Sequence, residues 1–109
     1  MQSHGEAFLA ILQNRIQRGV FLLDEPESAL SPQRQLALLI LIHNLVMQGE
    51  SQFVIATHSP ILLTYPGAEI VSFDGDNLSK ISLEETSHYQ ITRGILEYPT
   101  RYWEHLLRE

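Results

Sequence analysis

Val20-Phe21-Leu22-Leu23-Asp24-Glu25-Pro26-Glu27-Ser28-Ala29-Leu30-Ser31 runs four apolar residues straight into two carboxylates and a proline. An unbroken apolar run of that length predicts a strand covered on both faces, as in a parallel sheet. Pro26 has no N–H to give a sheet ladder, and it turns the residue before it away from the helical region, so the strand is expected to stop at the acids. Asp24 and Glu25 are then presented at the strand's carboxyl end. In an open parallel sheet that is the edge where ligands bind.

Working downstream, Ser31-Pro32 places an N-cap before a proline at the first helical position, which predicts a helix running to about Gln48 and stopping before Gly49. Its apolar residues Leu36, Leu38, Leu39, Ile40, Leu41, Ile42, Leu45 and Val46 cover more than one stripe, so the helix is expected to be buried on most sides. Gln52 to Ala56 reads as a second strand. It leads into Thr57-His58-Ser59-Pro60, where serine before proline again signals a short helix, here through Leu63. Strand, helix and strand make a βαβ unit, and its parallel strands put both carboxyl ends on one edge. Asp24, Glu25 and His58 are therefore expected to converge.

Upstream, Phe8, Leu9, Leu12 and Ile16 at helical spacing describe an amphipathic helix starting near Ser3, with Ser3 and Glu6 spaced as a capping box. Arg15, Arg18 and Gly19 suit its end. Toward the carboxyl terminus, Glu69 to Phe73, the turn Asp74-Gly75-Asp76-Asn77 and Leu78 to Leu83 predict a hairpin at the edge of the sheet. Glu84 to Leu96 and Thr100 to Leu107 predict two terminal helices split by Pro99.

The 109 residues are 44% hydrophobic and 18% charged, which suits one small globular domain or a piece of one. Neither a long apolar run nor a basic-then-apolar amino terminus occurs, so the expectation is a soluble cytoplasmic protein without a membrane span or signal peptide. The absence of cysteine excludes disulfides and thiolate metal sites. A net charge of -6 with Lys80 as the single lysine disfavours a nucleic-acid or anionic-membrane surface.

An adjacent Asp and Glu beyond a buried strand suit divalent-metal and water chemistry: one carboxylate can hold hydrated Mg²⁺ while its neighbour orients or deprotonates water. The same acids also suit an ordinary turn or helix cap, and His58 an ordinary capping turn. Both readings stay open on spacing alone.

The run Val20 to Ser31 resembles the Walker B segment and D-loop of ATP-binding-cassette (ABC) type ATPases, and Thr57-His58-Ser59-Pro60 resembles their switch-histidine loop. Ser3-His4-Gly5-Glu6 resembles the signature motif, normally Leu-Ser-Gly-Gly-Gln, in the Ser-x-Gly-Glu form of soluble AAA/ABC-type ATPases. The wording is closer to stand-alone and repair-type ATPases than to transporter subunits. The resemblance implies an α/β fold: part of a P-loop NTPase sheet of mainly parallel strands with flanking helices and a carboxyl-terminal β-hairpin. It implies ATP and Mg²⁺ as ligands, with Asp24 holding Mg²⁺ through water, Glu25 polarising the attacking water and His58 contacting the γ-phosphate. Ser3, Gly5 and Glu6 would face nucleotide on an opposite subunit, and Ser28 to Ser31 would lie at that dimer interface, with Ser31 where an aspartate is usual.

No Gly-x-x-x-x-Gly-Lys-Ser/Thr occurs, and no glycine loop precedes Lys80. The expectation is therefore a carboxyl-terminal half of a nucleotide-binding domain, residues 1–109 as one partial domain with 84–109 a helical tail. It would act as a homodimer or with an amino-terminal half, and be inactive alone. Two other classes compete: a metal-dependent nuclease or phosphatase using Asp24, Glu25 and His58 as ligands, and a non-catalytic interaction module docking through a sheet edge or through Tyr89, Tyr98, Tyr102 and Trp103.

Overall fold

The computed structural model describes residues 19–49, 51–73, 75 and 77–108. The helix and capping box expected over residues 3–17 lie outside them. The chain divides into two compact units, Met1–Tyr65 and Pro66–Glu109, and each is taken on its own.

In the first unit, β1 (Gly19–Asp24) and β2 (Ser51–Ala56) pair in parallel from Gly19↔Ser51 to Asp24↔Ala56. Between them lie a 3₁₀ turn (Pro26–Ala29) and α1 (Pro32–Met47). The expected βαβ unit is present. Ser31 caps α1 by accepting the Arg34 N–H at 3.3 Å, and Pro32 occupies the first turn, where its missing N–H costs nothing. The helix ends as anticipated at Gln48–Gly49: Gly49 takes φ 82°, open to glycine at no steric penalty, and its N–H reaches the Val46 carbonyl at 2.9 Å.

The strands alternate in burial. Phe21 and Leu23 of β1 and Phe53 and Ile55 of β2 pack on a core of Leu30, Leu38, Ile42, Leu45 and Leu62. Phe21 and Phe53 are register partners with ring centroids 5.4 Å apart, a tilted contact within the favourable range for aromatic pairs. Val20, Leu22 and Val54 point to the other face and are exposed. Among the described residues, then, β1 is covered on one face, not on both. For the same reason α1 is not buried on most sides. A two-stranded platform offers it one surface, so burial is confined to Gln35, Leu38, Ile42 and Leu45 at helical spacing while Leu36, Ile40 and Met47 are exposed. After β2 the short helix is a 3₁₀ turn, Leu62–Thr64, with the Ser59 carbonyl accepting the Leu63 N–H at 3.1 Å.

In the second unit, β3 (Ile70–Ser72) and β4 (Ser79–Ile81) form the expected hairpin around Gly75, whose φ is 104°. Among the described residues the hairpin is a two-stranded sheet, β3 pairing with β4. Turn chemistry determines the pairing inside a hairpin but carries no information on which sheet it joins. A capping box of Ser82 and Glu85 closes the next 3₁₀ turn (Leu83–Glu85). The two terminal helices follow, α2 (Ser87–Glu97) capped by Thr86, and α3 (Pro99–Leu106) opened by the proline that ends its predecessor. A side chain at Gly94 would meet the Tyr102 ring at 2.5 Å, so glycine is what allows α2 and α3 to approach.

Leu38 is fully buried and Ile40 is 63% exposed. Leu38→Ala is expected to cost about 2–5 kcal/mol and Ile40→Ala less than about 1 kcal/mol in urea unfolding. Equal losses would mean that the outward face of α1 is packed.

Candidate functional site

Asp24 is the last residue of β1, paired with Ala56, and its side chain lies in solvent. The Glu25 N–H donates to the Ala56 carbonyl at 2.7 Å, extending the ladder one step past the strand. At that step the backbone leaves the sheet. Glu25 is out of the right-handed helical region, as the proline after it requires, but it takes φ 47° and ψ 55°, the one non-glycine residue with positive φ among the described residues. For an L-residue with a side chain this conformation costs roughly 1–2 kcal/mol. The chain then turns tightly over buried Pro26, with the Ser28 N–H donating to the Glu25 carbonyl at 3.0 Å.

This turn leaves Glu25 beside the next strand tip, where its Oε1 lies 3.3 Å from His58 Nε2. Glu25 and His58 thus converge, as the βαβ topology predicts. Their side chains are 53% and 73% exposed, a setting in which an ion pair is worth at most about 1 kcal/mol, so the contact bears on orientation more than on stability. Ser28 is exposed on the 3₁₀ turn, and the Ser31 oxygen is engaged in capping α1. Ser3, Gly5 and Glu6 lie outside the described residues.

Two further residues tie the tips together. Glu27, two residues beyond Glu25, accepts the Thr57 hydroxyl at Oε1 (2.7 Å) and the His58 N–H at Oε2 (2.8 Å). Thr57 Oγ1 in turn accepts the Ser59 N–H at 3.0 Å. Partial burial alone would raise the Glu27 carboxyl, but the hydrogen bonds from the His58 N–H and the Thr57 hydroxyl, with the nearby His58 ring, hold it below the ordinary carboxylate range. Deeper in, the Ser59 hydroxyl donates to Gln35 Oε1, Gln35 Nε2 donates to the Leu30 carbonyl at 3.2 Å, and the Leu62 N–H donates to Ser59 Oγ at 3.2 Å. Gln35 and Ser59 are both buried. No buried side-chain polar atom among the described residues lacks a partner.

Sequence reading placed Glu27 inside the decisive stretch without giving it a role. The available signal was a third acid facing a Thr-His-Ser tip. For Gln35 it was a lone polar residue in the Leu38, Ile42, Leu45 stripe. The strand tips therefore offer two accessible carboxylates, Asp24 and Glu25, hard oxygen donors of the kind Mg²⁺ prefers, with an imidazole beside one of them. No group of three or more metal-ligating side chains occurs among the described residues.

The strained backbone makes a specific expectation. Glu25→Asn, a residue that tolerates the left-handed region, should unfold at or slightly above the parent's urea midpoint, whereas Glu25→Val should lose about 1–3 kcal/mol. Parity between Asn and Val would mean that the turn relaxes.

Glu27 gives a pH dependence whose sign follows from its lowered pKa. Its ionised form stabilises the fold fully above the ordinary value of 4.5, and that contribution is lost as pH falls through the lower folded value. Urea midpoints between about pH 6 and about pH 3 should fall less steeply for Glu27→Gln than for the parent. Parallel curves would remove Glu27 from the acid transition.

Residues 6–64 match the family model described as "AAA domain, putative AbiEii toxin, Type IV TA system". The sequence matches no curated protein. The matched span takes in β1, the turn after it, α1, β2 and the His58 loop, more than half of the chain. The chain belongs to this AAA-domain family and is a nucleotide-binding domain of the P-loop NTPase type.

Proposed function

We propose that the chain supplies the hydrolytic half of an ABC-type ATPase. The observation that carries the reading is the meeting of Glu25 and His58 at neighbouring tips of a parallel strand pair, with Asp24 one residue away, in a chain of the AAA-domain family. In this reading Asp24 would hold Mg²⁺ through water, and the chemistry supplied there would be charge neutralisation at the phosphates. Glu25 accepts a proton from the attacking water and orients it, and His58 donates a hydrogen bond toward the γ-phosphate. Their exposure leaves both side chains accessible to a ligand. Ser3, Gly5 and Glu6 would serve nucleotide bound to an opposite subunit, and Ser28 and Ser31 would lie at that interface.

The sequence holds no phosphate loop, so the cradle for the β- and γ-phosphates has to come from another segment, in the same polypeptide or a paired one. Residues 1–109 would then act as one partial domain, the helices over 84–109 forming its tail, in a cytoplasmic homodimer or paired assembly. Among the described residues no helix is long and apolar enough to cross a membrane.

The test is ATP turnover by an assembly joining this chain to a phosphate-loop segment. Glu25→Gln should lower kcat by roughly 10²–10⁴ with nucleotide affinity retained, and His58→Ala by roughly 10² with an unchanged melting temperature. The 109-residue chain alone should show neither turnover nor tight Mg·ATP binding in calorimetry. Unchanged turnover in Glu25→Gln would remove that residue from the chemistry. Sub-micromolar binding by the isolated chain would place the nucleotide site on other residues.

A further inference from the structure

The segment Thr57-His58-Ser59 has no regular secondary structure, yet its polar groups are held at fixed distances by a carboxylate thirty-one positions away. Glu27 presents both oxygens to two successive donors, the Thr57 hydroxyl and the His58 N–H. A planar carboxylate meeting two donors side by side restricts both the position and the twist of the segment it binds, which a single hydrogen bond does not. The Ser59 anchor to Gln35 restrains the far side of the same segment. Between those two anchors stands His58, whose ring reaches Glu25 Oε1 at 3.3 Å.

We infer that Glu27 is a positioning residue: by binding the backbone at His58 and the hydroxyl of Thr57, it aims the His58 imidazole at Glu25. It acts through hydrogen-bond acceptance and not as a base. Both of its oxygens are occupied by protein donors, and its carboxyl is held ionised by them, so it is poorly suited to exchanging a proton with water. Glu25, two residues earlier, has its contact only at Oε1 among the bonds described and is half exposed. The two glutamates thus divide the work, one facing ligand and one facing the loop.

The inference deepens the proposed function and rests on it only for what His58 does once aimed. Its test needs no turnover. In the full 109-residue chain, Glu27→Ala should speed hydrogen exchange at the His58 amide at least about tenfold while the β1–β2 ladder amides keep parent rates. It should also abolish the change that Glu25→Gln produces in the His58 ring resonances. Glu27→Gln should restore both, because an amide oxygen can accept the His58 N–H while its NH₂ donates to Thr57 Oγ1. In an ATP-hydrolysing assembly the same pair would separate by kcat, low for Ala and near parent for Gln, at similar KM.

Parent-like exchange in Glu27→Ala would overturn the positioning role, and so would a Gln variant as impaired as Ala, since charge and not acceptance would then matter. If Glu27→Ala unfolds, shown by loss of the ladder amides, Glu27→Asp decides. One methylene shorter, it cannot hold both donors, so it should free the His58 amide within an intact ladder, and parent-like exchange there overturns the inference. A positioning effect in this chain, together with no ATP turnover by the assembly that joins it to a phosphate-loop segment, would leave Glu27's role standing and refute the ATPase reading alone.

Discussion

The hydrogen bond from the Glu25 N–H to the Ala56 carbonyl is the last rung of the parallel β1–β2 ladder and the first contact of the turn that leaves it. Everything at the strand tips depends on that rung. With the peptide nitrogen held to β2, Pro26 unable to donate and the Pro26–Ala29 turn closing at once, the backbone at Glu25 is driven into the left-handed region. The resulting strain is modest beside the burial of Pro26, Leu30 and Leu38 around it, and it persists because those groups over-determine the turn. Its effect is to carry one carboxylate sideways toward the neighbouring strand, where an ordinary extended residue would carry it forward into solvent.

Beyond that rung the tips are joined by polar groups. Glu27 and Gln35 each bind a segment from across the ladder, and each is part of a connected set in which donors and acceptors are matched. Individual hydrogen bonds of this kind contribute about 1 kcal/mol net, so the clamp is not what makes the unit fold. The apolar layer of Phe21, Leu23, Phe53 and Ile55 on α1 does that. The clamp determines where a loop without secondary structure comes to rest, and its misplacement would leave buried polar groups unmatched.

The readable parts of this chain were those with local causes. Ser31-Pro32 announces the start of α1, Gly49 its end, Asp74-Gly75-Asp76-Asn77 a hairpin and Pro99 the break between α2 and α3, because caps, turns and prolines act within a few residues. The convergence of Glu25 and His58 was also legible, since parallel pairing puts both tips on one edge whatever the details. Features determined by distant partners were not. An apolar run says that a strand is apolar on both faces, but not that Val20, Leu22 and Val54 stay exposed among the described residues. Nothing near Glu27 or Gln35 in sequence identifies Thr57, His58 or Ser59 as partners, and the left-handed turn at Glu25 arises from a rung made to Ala56.

The parallel register has a consequence for how the molecule comes into being. Asp24 and Ala56 are register partners some 30 residues apart, so the loop closure that brings them together must precede any useful geometry at the tips. A chain emerging from a ribosome as far as α1 already carries Asp24, Glu25 and Glu27, yet lacks the rung that bends Glu25 and the donors that occupy Glu27. Its acids are three solvated carboxylates on a flexible tether. They acquire separate identities only when β2 and the Thr57-His58 loop after it arrive, which ties the birth of the site to completion of the βαβ unit.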